Sequence, residues 1–390
     1  MGKLDRLIEE FCPNGVEYKS LKEIAVVSGA GVDKKINTNE QPIKLLNYMD
    51  VYRNNYIDSS LDFMEVTASE NKISQCNVLK GDVFITPSSE VLNDIGNAAV
   101  ITEDLENVVY SYHIMRIRLK KRNFITSKYM GYIFESNYVQ TQINRYAEGI
   151  TRYGLTKTKW EGITIPLPPL PVQEEIVRIL DNFTELTAEL TAELTARKKQ
   201  YEYYRDELLT FGDDISWCNL EEILKIRNGK DYKSFNVGNI PVYGSGGIMT
   251  YIDTYAYDKP SVLIPRKGSI DKLYYVEKPF WTVDTIFYTE IYTSKVIPKY
   301  VFYCLQKERL EQYNTAGGVP SLTQTVLNKV KIPIPPLAEQ ERIVSILDKF
   351  DALVNDMSIG LPAEIEARQK QYEYYREKLL TFKELKAKEA

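Results

Sequence analysis

The sequence predicts an α+β chain: two pseudo-repeated, mixed, β-rich domains separated by two long antiparallel coiled-coil helices. Three observations predict it. PPLPVQEEIVRILDNF (Pro168–Phe183) returns as PPLAEQERIVSILDKF (Pro335–Phe350), and ARKKQYEYYRDELLTF (Ala196–Phe211) returns as ARQKQYEYYREKLLTF (Ala367–Phe382). An internal repeat this close outranks any single-residue signal, because it divides the chain into equivalent parts. Ahead of each copy lies a stretch of short β-branched and aromatic runs broken by Gly, Pro, Asn and Asp, the pattern of an irregular sheet. The division runs 1–165 (first domain), 166–212 (first spacer helix), 213–332 (second domain) and 333–390 (second spacer helix).

In chain order, Leu4–Phe11 reads as a short amphipathic helix ended by Cys12-Pro13-Asn14-Gly15. Val16–Ala25 and Ile215–Leu224 then open the two domains alike. Strand-like runs follow at Asp82–Pro87, Ala98–Ile101 and His113–Leu119 in the first domain. PVYGSGGI, SVLIPRKGSI and LYYVEKPFWTVDTIFYTEIY are their counterparts in the second. Each domain closes on a helix, a Gly-containing loop, a strand and a Pro-rich turn. From Val172 to Phe211 there is no Gly or Pro. Ile176, Leu180, Phe183, Thr187, Leu190, Leu194, Arg197, Tyr201, Tyr204, Leu208 and Phe211 recur at steps of four and three, the stripe that seats one helix on another. Pro168, Pro169 and Pro171 block an earlier start and Gly212 gives the stop. Forty residues make a rod of about 60 Å. The second copy has Gly360-Leu361-Pro362 in its middle, which predicts a break there with Pro362 opening a new segment. Each helix begins where a domain ends, so its natural partner is the other helix, antiparallel.

Composition bounds the function. The 390 residues carry a net charge of −5, and the helices hold the acid excess, leaving 35 basic against 34 acidic residues elsewhere. A nucleic-acid surface must then be a local patch and not a global field. Cys12, Cys76, Cys218 and Cys304 lie far apart, with no metal-ligand or disulfide spacing, which suits a reducing cytosol. The N-terminus has no signal-peptide core and no run is apolar enough to span a membrane, so a cytoplasmic protein is expected. The single histidine, His113, supports no triad, and a core or surface role is expected of it. Phosphate-loop and zinc-hydrolase motifs are absent. Tyr243–Ile248 (YGSGGI) is either a tight turn or a close backbone approach to a phosphate.

What the sequence does supply is cations beside small polar residues in loops. Arg152, Lys157 and Lys159 lie in GITRYGLTKTK, Lys230 and Lys233 in NGKDYKS, and Arg266 and Lys267 in PRKGS. With Ser88, Ser89, Ser245 and Ser269 they are the inventory of a DNA contact: lysines for phosphates, Arg and Ser for base edges.

The twin helix copies, the tandem TAEL units (Thr187–Leu190, Thr191–Leu194) and the segments GVEYKSLKEI, PVYGSGGI and PRKGS resemble the specificity subunit of type I restriction–modification systems. The resemblance covers the whole chain. It implies two target recognition domains, each reading one half of a bipartite double-stranded DNA site, with the helices as a spacer ruler. It also implies two modification subunits carrying S-adenosylmethionine, two restriction subunits using ATP and Mg, and no cofactor on this chain. Matching positions on the two helices would hold the partners: Gln173, Glu174, Ile176, Tyr203 and Arg205 on the first, and Gln340, Glu341, Ile343, Tyr374 and Arg376 on the second. Thr187, Leu190, Thr191 and Leu194 would set the spacer. A self-contained methyltransferase or nuclease, and a scaffold without a DNA role, fit less well: one lacks its motifs, and the other leaves the divergent domain middles without a purpose.

Overall fold

Residues 2–212, 214–314, 316–356 and 358–385 are described by a computed structural model. The chain divides into two compact units, Met1–Ala188 with Ala367–Ala390, and Glu189–Glu366. Each unit therefore contains one β-rich domain, the front of the helix that follows it, and the back of the other helix.

In the first unit the main sheet has five strands in the order Ala25–Ser28, Met115–Leu119, Val83–Ile85, Ala98–Ile101 and Tyr56–Ile57. All neighbours are antiparallel except the last pair. A second sheet of three strands (Met64–Ala68, Gln41–Leu46, Val108–Tyr110) lies over its own apolar cluster around Leu45, Phe84 and Tyr110. In the second unit the main sheet runs Leu224–Asn228, Ile286–Ile291, Ser261–Pro265, Tyr274–Val276, and Val237–Gly244 with Gly247–Ile252 forms a hairpin beside it. The first three strands of the two main sheets correspond. Leu119 stands opposite Ala25 as Ile291 stands opposite Leu224.

The same residues build the frame twice. Ser20 caps the short helix Leu21–Ile24 through Glu23, and Asn219 caps Leu220–Ile223 through Glu222. These boxes satisfy backbone donors that a helix start leaves open. The strands just ahead of them, Glu17–Ser20 and Trp217–Asn219, pair with Thr164–Leu167 and Lys331–Pro333 at the domain exits. The hydroxyls of Tyr129 and Tyr300 donate to the carbonyls of Pro166 and Pro333 at 3.2 and 3.1 Å. Tyr132 and Lys128 meet Asp181 at 2.7 and 3.0 Å, and Tyr303 and Lys299 meet Asp348 at 2.5 and 3.0 Å.

The long helix runs Leu170–Leu208, starting two residues earlier and ending three residues earlier than the sequence spacing suggests. Pro171 sits in the first turn, where a missing N–H costs nothing. At the other end the last turn tightens, with Thr210 N–H bonded to the Glu207 carbonyl. The second copy does break: Leu337–Asn355 ends, and a new helix runs Leu361–Leu380. Gly360 makes the break possible, since a Cβ there would lie 2.5 Å from the Ala352 carbonyl oxygen. In the first unit Val172, Ile176 and Leu180 share a core with Leu380, and Tyr375 stacks on Phe183. In the second, Ile343 and Leu347 share a core with Tyr201 and Leu209, and Tyr204 stacks on Phe350. The start of one copy thus packs beside the end of the other in each unit. The predicted stripe holds through Tyr201 and then shifts: Arg205 and Leu209 are buried where Tyr204 and Leu208 were expected. A 3.6-residue turn drifts about 20° per heptad from a 3.5-residue seam, which moves the buried face by one position over the length of this helix.

Candidate nucleic-acid interface

In each unit, the loop leaving a central strand of the main sheet meets the Gly-containing loop ahead of the domain-exit strand. In the first unit the strand Val83–Ile85 leads to Ser88–Ser89, which pairs with Tyr153–Gly154. Leu155 N–H donates to the Pro87 carbonyl at 3.5 Å. In the second, Ser261–Pro265 leads to Arg266-Lys267, Lys267 bridges Ser321, and Leu322 N–H donates to the Arg266 carbonyl at 2.9 Å. Ser88 and Lys267 therefore hold equivalent places.

Both corners carry a guanidinium, delivered from different loops. In the first, Arg152 donates from Nε to Ser88 Oγ at 3.1 Å and from NH2 to the Ser88 carbonyl at 3.3 Å. It stays exposed and has no carboxylate partner among the described residues. Its loop turns at Gly149 (φ 142°), where a Cβ would fall 1.9 Å from the Arg152 carbonyl oxygen. In the second, the Arg266 guanidinium lies over the Phe287 ring, 5.2 Å from its centre, and its buried Nε has no hydrogen-bond partner among the described residues. A cation held by an aromatic face and left unpaired is poised for an incoming acceptor. Ser245 joins this corner: its N–H donates to Thr285 Oγ1 at 3.3 Å, and Arg266 N–H donates to the Thr285 carbonyl at 2.9 Å. YGSGGI proves to be the hairpin turn, with Gly247 at φ 114°.

Several candidates sit differently. Ser89 is buried and its hydroxyl accepts from Val91 N–H at 3.2 Å, so it serves its own loop. Lys159 is tied to Glu148 at 2.5 Å and to the Tyr146 carbonyl at 3.0 Å. Lys157 is exposed and only loosely paired with Glu161 at 3.6 Å. Lys230 is pinned by its backbone to Thr282 and Trp281, with its side chain exposed, and Lys233 is exposed nearby. Ser269 is half-buried and its carbonyl accepts from Lys272 N–H.

The partner-binding set needs correcting. Gln173 and Gln340 are fully buried. Gln173 accepts from Thr126 N–H at 2.9 Å and donates to the carbonyls of Phe124 and Pro168. Gln340 repeats the arrangement with Ile297, Lys295 and Pro335. Ile176 and Ile343 are buried in the two cores. These four residues are spent inside their own units and offer nothing to a partner. Arg205 and Arg376 are mostly buried too. Arg376 pairs with Glu135 and Glu377 at 3.3 and 3.1 Å, and Arg205 with Asp206 at 2.7 Å. Glu174, Glu341, Tyr203 and Tyr374 stay exposed, the two tyrosines at 65% and 63%. Glu174 borders a cavity of about 610 Å³ in the first unit, lined also by Lys80, Arg122 and Arg178.

His113, of which the sequence predicts only a core or surface role, belongs to the first corner. His113 stands six residues before Leu119 as Thr285 stands six before Ile291, so it takes the place of Thr285. It lies within the electrostatic reach of Lys34 and Arg152. Only strand-by-strand alignment of the two middles could have found it, because neither residue lies in a recognisable motif. Nothing in the described residues gathers three metal-ligating side chains. Burial pushes the Cys304 thiol up to about 12, which leaves it inert as a nucleophile.

Comparison with known proteins places these features. The family model for the type I restriction modification DNA specificity domain matches residues 13–197 and again 213–367. The chain is 36% identical over 281 residues to the Escherichia coli EcoR124I/EcoR124II specificity subunit, covering 63% of this chain and 69% of that protein. A solved structure described as the basis of complex assembly and conformational transition of the type I R-M system superposes with a TM-score of 0.61 at 18% identity, over 94% of this chain and 98% of that one. The S subunit of a type I restriction–modification system from M. genitalium gives a TM-score of 0.57 at 15% identity, over 94% and 96%.

Proposed function

This chain belongs to the type I restriction–modification DNA specificity family, and from that premise we propose that its two corners are where the DNA is read, one half-site to each unit. The chain is a non-catalytic DNA-recognition subunit of a restriction–modification enzyme. The observation that carries the corner assignment is that each corner holds a guanidinium, delivered from different loops, Arg152 on Ser88 and Arg266 over Phe287, neither matched by a carboxylate among the described residues. Arginine presents paired donors that fit a guanine edge or a phosphate. Lys157, Lys230, Lys233 and Lys267 supply the backbone contacts that set position on the duplex.

Two modification subunits dock on the exposed parts of the repeated helices, with Tyr203 and Tyr374 as matching aromatic anchors and Glu174 and Glu341 as matching carboxylates. A pseudo-repeated chain offers two similar surfaces, which suits two copies of one partner. Two restriction subunits complete the assembly in the cytoplasm. S-adenosylmethionine stays on the modification subunits, and ATP with Mg on the restriction subunits. No helix among the described residues is long and apolar enough to cross a membrane.

The test is a salt-titrated gel shift of the chain with its modification subunits. Arg266→Ala should cost about 1–3 kcal/mol on the cognate duplex and relax discrimination in one half-site. Lys157→Ala should weaken all duplexes alike and lower the salt slope by about one. If Arg152→Ala, Arg266→Ala and Lys157→Ala all bind as the parent does, the DNA face is elsewhere.

A further inference from the structure

Resting on the reading just given, we propose that the His113 imidazole is a DNA-backbone contact of the first unit and makes that unit's grip on DNA proton-dependent. His113 is the only histidine in 390 residues. It occupies the place where Thr285, in the other unit, ties Ser245 to Arg266. Its ring lies 4.0 Å from the Tyr112 ring at a 36° tilt, and Tyr112 itself is half exposed.

The charged groups that act on the ring are Lys34 and Asp33 from one loop and Arg152 from the other. Asp33 is already engaged, with the Lys35 ammonium at 2.7 Å and the Lys34 N–H at 2.8 Å. Among the described residues the imidazole has no hydrogen-bond partner of its own; only its backbone N–H is bonded, to Ser111 Oγ at 3.3 Å. A weak base within electrostatic reach of two cations, without a hydrogen-bonded carboxylate of its own, is a poor arrangement for a free surface. It is a good one where a phosphate arrives, since a nearby anion offsets the repulsion among the three groups.

The sign follows from linkage. Burial, Lys34 and Arg152 hold His113 below its ordinary value in the free protein. A phosphate favours the imidazolium and raises it, so binding takes up a proton. Affinity is then greatest below the free value, falls as pH rises through the bound value, and is flat above it.

The experiment uses the chain with its modification subunits and a duplex carrying the motif that the complex methylates in a host. Binding is measured at fixed salt across roughly pH 5 to 8, where only histidine among ordinary side chains titrates. Histidines of the partner subunits contribute equally to parent and variant, so the difference between the two profiles belongs to His113. The parent should lose about five-fold more affinity over this range than His113→Gln, and its salt slope should fall by about one where the variant's does not. His113→Arg should keep the low-pH affinity throughout. A His113→Gln profile that coincides with the parent's, with both proteins binding the motif, overturns the proposal and leaves the corner assignment standing. A parent that fails to prefer the motif at any pH overturns the assignment and the proposal with it.

Discussion

Gln173 and Gln340 each close three hydrogen bonds at a helix start, in surroundings where water cannot replace them. Gln173→Ala should therefore cost about 3 kcal/mol in urea unfolding of the chain, from buried backbone groups left unpaired. A loss under about 0.5 kcal/mol would show that the clamp is incidental. Glu175 gives a second residue-level test. The Arg178 guanidinium, opposed by burial and helped by Lys3, holds its carboxyl down to about 2 from 4.5. A depressed carboxyl contributes stability that is complete above pH 4.5 and is lost as pH falls toward about 2. Over that window the parent should lose about 1–2 kcal/mol more than Glu175→Gln, the exposure of Arg178 and Lys3 trimming the full effect. Acid titration of both by circular dichroism decides it. At this scale the sequence is least informative. Identity between Gln173 and Gln340 was visible, but repetition alone cannot distinguish a clamp from a docking residue; burial does. Arg152 and Ser88 are 64 residues apart and meet only because Tyr153–Gly154 pairs with Ser88–Ser89.

The helices were legible because period and repeat both survive in the primary structure. Their ends were read less well, since Pro171 can enter a first turn and the final turn tightens for local reasons. The break in the second copy was legible from Gly360-Leu361-Pro362. Gly360→Ala should destabilise the second unit by about 1–3 kcal/mol, because the new methyl meets the carbonyls of Ala352, Leu353 and Asp356. A neutral result in urea unfolding would mean the turn can open without cost. The first copy has the tandem TAEL units in place of a break, with Leu190 and Leu194 half-buried and Thr187 Oγ1 bonded back to the Phe183 carbonyl at 2.9 Å. One further TAEL after Leu194 adds about 6 Å of rise and about 40° beyond a full turn. A base pair of B-DNA advances about 3.4 Å and turns about 35°. The translation lies between one and two base pairs, and the rotation favours one. We expect the insertion to lengthen the non-specific spacer by one base pair with both half-sites kept. An unchanged spacer in the methylated motif would mean the helix does not act as the ruler.

For the whole molecule, the frame is written twice and the middles are not. Tyr129/Tyr300, Lys128/Lys299 and Asp181/Asp348 recur with the same partners. Each middle has a three-stranded sheet, but Gln41–Leu46 reaches Met64–Ala68 through a helix and a strand, whereas Val237–Gly244 turns directly into Gly247–Ile252, with Trp281–Thr282 on its other side. Shared framing with unlike middles is what independent recognition of two sequences requires, since base-edge readout depends on loop geometry and not on the supporting fold. The direct test of this claim is to replace residues 15–165 with the corresponding domain of a relative and to sequence the methylated motif of a host expressing the exchanged chain with its modification subunits. One half of the motif should change and the other half should stay as it was; a motif altered in both halves, or in neither, would contradict the assignment of one half-site to each unit.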